Sequence, residues 1–237
     1  MDLFVKTLAK NVPMIILFFL FGAVFLLNIP TTSAAPQFWF SWQAGNYAPS
    51  WYQGKVLPIV GSPITVNFEL IDNGQIADIS QNKIRWYVND RLIINETNGL
   101  GIQSARFSIP DYAVNAVEVR VSVVGYQDET LDRILYIPLS QPEVVIEMPS
   151  ADGKISIGES IFRASPFFFN INNLNQLDFE WVVNGKQPET FGGTPWLLSL
   201  TIDSKISAGT PIDLSLTVNN ISNDSESAAK NIQPVVK

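Results

Sequence analysis

A five-residue motif that occurs twice constrains the fold of this chain more than any other feature. Trp86-Tyr87-Val88-Asn89-Asp90 recurs 95 residues later as Trp181-Val182-Val183-Asn184-Gly185. The same offset holds downstream, where alternating apolar residues coincide: Val117 with Ile212, Val119 with Leu214, Val121 with Leu216 and Val123 with Val218. A repeat of this length, with a tryptophan before a turn in each copy, predicts two copies of one all-β domain.

Both halves of the chain contain short segments with the pattern of strands. Apolar and polar residues alternate over residues 64–70 and 117–123, as expected for half-buried strands. Asp72-Asn73-Gly74 and Asp152-Gly153 have turn composition and lack the ligand spacing of a calcium loop. In the second half, residues 222–230 are polar and are interpreted as a long loop, with residues 231–236 as the final strand.

These patterns predict an all-β fold: two tandem immunoglobulin-like or fibronectin-like β-sandwich domains, preceded by one apolar N-terminal helix. The predicted boundaries are residues 1–35 for the leader, 36–140 for the first domain and 141–237 for the second. Because the sheets of a sandwich pack about 10 Å apart, Trp86 and Trp181 are predicted to fill the structural core of their domains. The short segment between the domains, residues 139–142, predicts a stiff connection.

The first 35 residues have the features of an export signal. Lys6 and Lys10 precede an uncharged apolar stretch centred on residues 14–27, and small residues follow at positions 32–35. One interpretation is a signal peptide that is cleaved after Ala34. The other is an uncleaved anchor, since residues 12–29 are at the lower limit for spanning about 30 Å of hydrocarbon. Both place the lysines inside and residues 36–237 outside the cytoplasm, in the cell envelope behind an N-in transmembrane helix or secreted.

The composition excludes several classes of function. The chain has no histidine and no cysteine, which removes thiol nucleophiles, histidine-based triads, disulfides and nearly every zinc site. Its net charge is −7, and without a basic stripe the chain is not expected to bind nucleic acid. The sequence singles out no pair of carboxylates for glycoside hydrolysis. We therefore predict a non-enzymatic protein with no catalytic residues, no cofactor and no metal.

Aromatic residues are concentrated at the start of the exported chain. They include Phe38-Trp39-Phe40-Ser41-Trp42, Trp51 and Tyr52. Rings on a flat β surface can stack on sugars or dock another protein, so Trp39, Trp51 and Tyr52 form a possible binding surface. The favoured alternative is that residues 38–52 fill the first core and brace its opening loop. In Phe167-Phe168-Phe169 at least one ring must leave the inner face of a strand, and it is predicted to cover the other domain or a partner.

The same opening segment carries a resemblance to a known group of proteins. Trp42-Gln43-Ala44, Tyr47-Ala48-Pro49, Tyr52-Gln53-Gly54-Lys55 and Leu57-Pro58 follow the pattern W-x-A-x-x-Y-x-P-x-x-Y-x-G-K-x-L-P. This pattern resembles uncharacterised bacterial envelope proteins that pair a signal or anchor helix with tandem PKD-like or immunoglobulin-like domains. The resemblance implies a location at the cell surface, near pilus or secretion machinery. It transfers no functional residues.

The sequence leaves three classes of function open. The first is a protein-interaction or structural module that acts in adhesion or as an accessory part of a surface, pilus or secretion assembly. Its partners would be other envelope or surface proteins, with the membrane as a further partner if the leader is uncleaved. The second is a carbohydrate-binding module that uses the aromatic cluster 38–52, and the third is a hydrolase accessory or a cryptic enzyme.

Overall fold

The structure is a computed structural model that describes residues 34–188 and 193–237. The predicted N-terminal helix falls within residues 1–33 and so lies outside the described residues. Within the two described ranges, no helix is long and apolar enough to cross a membrane. Of the described residues, 38–70, 77–188 and 193–237 belong to one compact unit, and 34–37 and 71–76 belong to another. The contacts described below lie within the larger unit.

The first half of the chain folds into a sandwich of two sheets. Its strands are β1 (Gln37–Ala44), β2 (Pro63–Asp72), β3 (Gln75–Ile76), β4 (Lys83–Val88), β5 (Arg91–Ile94), β6 (Ser104–Ser108), β7 (Ala116–Tyr126) and β8 (Glu129–Pro138). One sheet has the order β1-β2-β3 with β6 also paired to β2, and the other has the order β5-β4-β7-β8. The predicted turn at Asp72-Asn73-Gly74 joins β2 to β3, with left-handed φ angles of 49° at Asn73 and 76° at Gly74.

The second half forms another sandwich. Its strands are β9 (Glu143–Glu147), β10 (Lys154–Ile155), β11 (Gly158–Phe167), β12 (Leu177–Val183), β13 (Leu197–Ile202), β14 (Leu214–Asn220), β15 (Asn223–Ile232) and β16 (Val235–Val236). The sheets have the orders β13-β11-β9 and β12-β14-β15, with a short parallel pair of β10 and β16. The predicted tandem immunoglobulin-like β-sandwich fold is therefore present.

Strand pairing repeats with the same offset as the sequence. Trp86 of β4 lies opposite Val121 of β7, and Trp181 of β12 lies opposite Leu216 of β14, 95 residues later in both strands. Both tryptophans are essentially inaccessible, with exposures of 0% and 1%. Each indole N–H donates to a backbone carbonyl, of Ile102 at 2.8 Å and of Pro195 at 3.0 Å. A buried tryptophan needs such a partner for its polar atom, so these bonds let each ring lie wholly within its core.

The turn after each tryptophan strand is fixed by an asparagine in the same way. The Oδ1 of Asn89 accepts from the backbone N–H of Glu118, and the N–H of Asn89 donates back to the Glu118 carbonyl, both at 2.9 Å. Asn184 makes the same pair with Asp213, at 2.9 and 2.8 Å. Their φ angles are 45° and 47°, a region that asparagine tolerates better than most residues. The motif found in the sequence is therefore a core ring followed by a locked turn.

The interpretation of residues 222–230 as a loop is wrong. Strand β15 runs through this polar segment to Ile232 and pairs with β14, and the final strand β16 is short. Only Glu226 and Ala228 of β15 are buried, so the strand has a polar outer side and few apolar residues inside. Hydrophobic alternation does not mark such a strand, because one inward position is the charged Glu226 and another is only an alanine, Ala228.

Candidate functional site

Strand β1 divides its aromatic residues between two faces. Phe38, Phe40 and Trp42 are partly buried against the first core, and the rings of Phe38 and Phe40 lie 5.4 and 6.2 Å from that of Phe68. Trp39 alternates to the other side of the strand and is 67% exposed. The core-filling interpretation therefore describes the first three rings, and Trp39 stays accessible to a ligand.

Trp51 and Tyr52 lie elsewhere, at the junction of the two sandwiches. Their rings meet Phe167 edge-on at 5.7 and 5.3 Å, and Tyr52 also meets Phe168 at 6.1 Å. Trp51 keeps 57% of its surface exposed, whereas Tyr52 is partly buried. The structure thus brings Trp51 and Tyr52 together through Phe167, and among the described ring pairs neither is joined to Trp39.

An apolar cluster connects the β1–β2 loop to the end of β11. Ile59, Phe167 and Phe168 are buried in it, and they pack with Ala48, Tyr52, Val56 and Leu57. Two of the three adjacent phenylalanines thus cover the other sandwich, as the sequence predicted, while Phe169 joins the second core. Phe168 reaches this position with a φ of 66°, which is costly for a bulky residue and is held in place by the surrounding contacts.

Backbone and side-chain hydrogen bonds join the same two segments. Phe168 N–H donates to the Tyr47 carbonyl at 2.7 Å, and Tyr47 N–H donates to the Phe169 carbonyl at 2.8 Å. The Nδ2 of Asn46 donates to the Phe168 carbonyl at 2.8 Å. The Oδ1 of Asn46 is buried without a partner among the described residues.

Asn170 is the centre of a polar network between the sandwiches. Its Nδ2 donates to the Val60 carbonyl and to Oε1 of Glu226, each at 2.9 Å. Its Oδ1 accepts from Asn46 Nδ2 at 3.0 Å and from Ser62 Oγ at 2.9 Å. Every side-chain hydrogen-bonding group of Asn170 is therefore used.

Glu226 is a buried carboxylate that has no cationic partner among the residues that the structure describes. It is 4% exposed and accepts from the backbone N–H of Asn170 and from the amides of Asn170, Asn220 and Asn223, all at 2.9 Å. Four donors compensate for the water that the carboxylate loses. A groove of about 710 Å³ passes this point, lined by Glu226 and by Asp111, Gln141 and other residues of both sandwiches. Among residues 34–188 and 193–237, no three acidic side chains lie close enough to hold a metal ion.

A different surface of the first sandwich carries unusually large side chains. We define the outer face as the solvent side of the sheet β5-β4-β7-β8. It is formed by Leu92 of β5, Lys83, Arg85 and Tyr87 of β4, Glu118 and Arg120 of β7, and Ile134 and Tyr136 of β8. Cross-strand register places Leu92, Tyr87, Arg120 and Ile134 in one row across all four strands. Leu92, Ile134 and Tyr136 are 43%, 46% and 62% exposed.

Contacts among these side chains hold the outer face in order. The Arg120 guanidinium lies 3.9 Å from the centre of the Tyr87 ring and 3.4 Å from an Asp90 oxygen. Tyr136 Oη donates to Glu118 at 3.2 Å, and this hydrogen bond raises the pKa of the Tyr136 phenol.

Arg85 and Glu96 form a bidentate pair at the side of the outer face. Nε and Nη2 of Arg85 donate to the two oxygens of Glu96 at 3.0 and 2.7 Å. The hydrogen bonds from Arg85 lower the pKa of Glu96 to about 2. Such a fork–fork contact orders both side chains, so the outer face presents a defined rather than a freely rotating set of groups.

The corresponding surface of the second sandwich differs at nearly every position. Through the 95-residue offset, Lys83, Arg85, Tyr87 and Arg120 correspond to Asp178, Glu180, Val182 and Ser215. Opposite Ser215, strand β15 carries Asn231, where β8 carries Ile134 opposite Arg120. We call this surface the acidic face.

The outer face was not predicted from the sequence, although the repeat contains a signal for it. The candidates were drawn from the aromatic opening, residues 38–52, because large rings are visible without knowledge of strand orientation. A position-by-position comparison through the offset would have shown Lys83 and Arg85 replaced by Asp178 and Glu180.

No family model and no curated protein matches the chain. Among solved structures, it is similar to the three N-terminal domains of the bacteriophage RB49 highly immunogenic outer capsid protein (12% identity, TM-score 0.40), covering 84% of this chain and 59% of that one. A second similarity is to the Bacteroides ovatus mixed-linkage glucan utilization protein SGBP-B, in complex with a heptasaccharide (11%, 0.28), covering 87% and 48%. A third is to the N-terminal Ig1-2 module of the Drosophila receptor protein tyrosine phosphatase DLAR (10%, 0.26), covering 85% and 98%.

The chain thus spans 59% and 48% of the length of the first two of these structures. Because these TM-scores are 0.40 or lower, the fold is assigned from the chain's own strand order and cores and not from these similarities. The functional proposals below accordingly depend on the residues described above.

Proposed function

We propose that the chain is a non-enzymatic, exported or membrane-anchored protein of the cell envelope that binds another protein through the outer face of its first sandwich. The export and envelope parts of this proposal are supported by the basic and apolar leader, Lys6 and Lys10 followed by residues 14–27. Adhesion, or an accessory role in a surface, pilus or secretion assembly, would fit such a location.

One observation carries the proposed interaction: the same fold is built with and without the large side chains. The second sandwich has the same tryptophan, turn and strand register with Val182 and Ser215 at the positions of Tyr87 and Arg120. The fold therefore does not require Tyr87 and Arg120, and their presence needs another explanation. Tyrosine and arginine are enriched among the residues that dominate protein–protein binding energy.

The test places two residues of the second sandwich at the equivalent positions of the first. A C-terminally tagged full chain that carries Tyr87→Val and Arg120→Ser takes the residues that the second sandwich already tolerates. We expect captured envelope proteins, quantified by mass spectrometry, to fall by about tenfold or more. Ile161→Ser is the matched control, because Ile161 is 54% exposed but lies on the sheet β13-β11-β9 of the second sandwich, away from the outer face. Equal capture by the exchanged and parent chains would refute binding through the outer face.

A carbohydrate-binding role is the second candidate. The observation in its favour is the exposure of Trp39 and Trp51, 67% and 57%, since exposed rings can stack on sugars. Binding on a glycan array that is lost in Trp39→Ala or Trp51→Ala would support this role. Absence of binding on a broad array would exclude it.

A further inference from the structure

The outer face and the acidic face carry opposite charges at two equivalent positions. On β4 the outward residues Lys83 and Arg85 are basic, and on β12 the equivalent Asp178 and Glu180 are acidic. Asp178 and Glu180 are exposed, and neither makes an ion pair with another described residue. The carboxylates of the acidic face are thus available to an external cation.

The shapes of the two faces are complementary as well. Where the outer face carries the Tyr87 ring under Arg120, the acidic face has a hollow of about 280 Å³ lined by Val182, Gly185 and residues 213–215 and 231–233. Its lining consists mainly of small or polar side chains. The stacked side chains of Tyr87 and Arg120 on one surface and a hollow on another can fit together between two copies of a chain.

We infer that the partner of the outer face is a second copy of this chain, which docks through its acidic face. This inference names the partner of the interaction proposed above and therefore rests on that proposal. Lys83 and Arg85 of one copy would face Asp178 and Glu180 of the other, while Tyr87 would enter the hollow beside Val182. Opposed charges set the orientation and speed the encounter of such surfaces.

A contact of this kind joins two different surfaces, so it is heterologous. Each copy that uses its outer face still offers an acidic face to the next copy, and the contact can repeat into a ring or an open row. The outer and acidic faces are formed by equivalent sheets of the two sandwiches. The internal repeat thus supplies both halves of one interface.

Charge exchange tests this inference on the full chain in a mild detergent, with the leader identical in all variants. One variant carries Lys83→Asp and Arg85→Glu, and the other carries Asp178→Lys and Glu180→Arg. Sedimentation velocity should show concentration-dependent association of the parent chain that weakens between about 50 mM and about 500 mM salt. Each variant alone should associate at least about tenfold more weakly, and an equimolar mixture should regain association because each variant supplies the face that the other lacks.

Two further measurements separate the possible results. Lys83→Asp alone breaks no ion pair among the described residues, so it tests the charge argument if the double variant fails to fold. A parent chain that stays monomeric at every concentration, or association that the exchanges leave unchanged, overturns the inference. If the chain is monomeric but Tyr87→Val with Arg120→Ser still abolishes capture of a different envelope protein, the proposed function stands and only the self-association fails.

Discussion

Replacing Asn170 by alanine should uncouple the two sandwiches. The substitution removes four hydrogen bonds, two donated to Val60 and Glu226 and two accepted from Asn46 and Ser62. Ser62 is 0% exposed, so its hydroxyl loses an acceptor that water cannot readily replace. A buried donor left unsatisfied costs about 1–3 kcal/mol, and a hydrogen bond to a charged group contributes about 1.5–3 kcal/mol.

These contributions add to an expected loss of about 2.5–6 kcal/mol in the free energy of unfolding. The Val60 carbonyl adds little because Val60 is exposed and can bind water instead. Glu226 keeps hydrogen bonds from the backbone N–H of Asn170 and from the amides of Asn220 and Asn223. Its carboxylate therefore loses one of four donors and stays stabilised by the other three. The main effect should therefore be on the junction and not on either core.

Differential scanning calorimetry and urea unfolding measure this effect. We expect the parent chain to unfold in one transition and Asn170→Ala to show two, since each core would then melt separately. Asn172→Ala is the control, because Asn172 is exposed in the same loop and its side chain makes no hydrogen bond with another described residue; it should change stability by less than about 0.5 kcal/mol. A single transition in Asn170→Ala, within about 1 kcal/mol of the parent chain, would refute the role of the junction network.

Three other predictions concern the cores, a turn and the ion pair. Trp86→Ala and Trp181→Ala should each cost about 3–5 kcal/mol by thermal melting, because both rings are fully buried; unchanged melting would contradict the core assignment. Asn184→Ala should cost about 1–2 kcal/mol in urea unfolding through the lost turn bond and the φ of 47°, and glycine at this position should recover part of that loss. NMR titration should place the pKa of Glu96 at about 2; because this pKa is lowered by folding, the pair stabilises the protein at neutral pH and loses its effect as the pH falls towards 2. In Arg85→Ala the Glu96 pKa should rise towards the ordinary carboxyl range, and an unchanged value would show that other groups lower it.

The fold could be predicted because its determinants are local and repeated. Trp86 and Trp181, the turn asparagines and the alternating valines of β7 are each recognisable within a few residues. Strand β15 was missed since its inward position is occupied by Glu226, a charge that only a distant network makes acceptable. The sequence pattern contains no trace of that network.

The junction could not be predicted from the sequence, and the outer face could be predicted only in part. Asn46 and Phe168 are bonded across 122 positions of the chain, and no periodic pattern reports a contact between two loops. Complete prediction of the outer face requires the strand register, because Leu92, Tyr87 and Ile134 fall in one row only when the four strands are aligned. The sequence located Trp39, Trp51 and Tyr52 as candidates, and the structure separates Trp39 from the other two.

The packing of the β1–β2 loop determines which apolar surface is exposed while the protein is being synthesised. The strands of the first sandwich are complete at Pro138, before Phe167 and Phe168 are present to cover Ile59 and Tyr52. About thirty more residues must therefore follow β8 before this apolar surface is shielded. Until β11 is made, a nascent first sandwich would expose this apolar surface. Truncation after residue 140 would make this transient surface permanent, so a fragment cut at the apparent boundary should aggregate where the whole chain stays in solution.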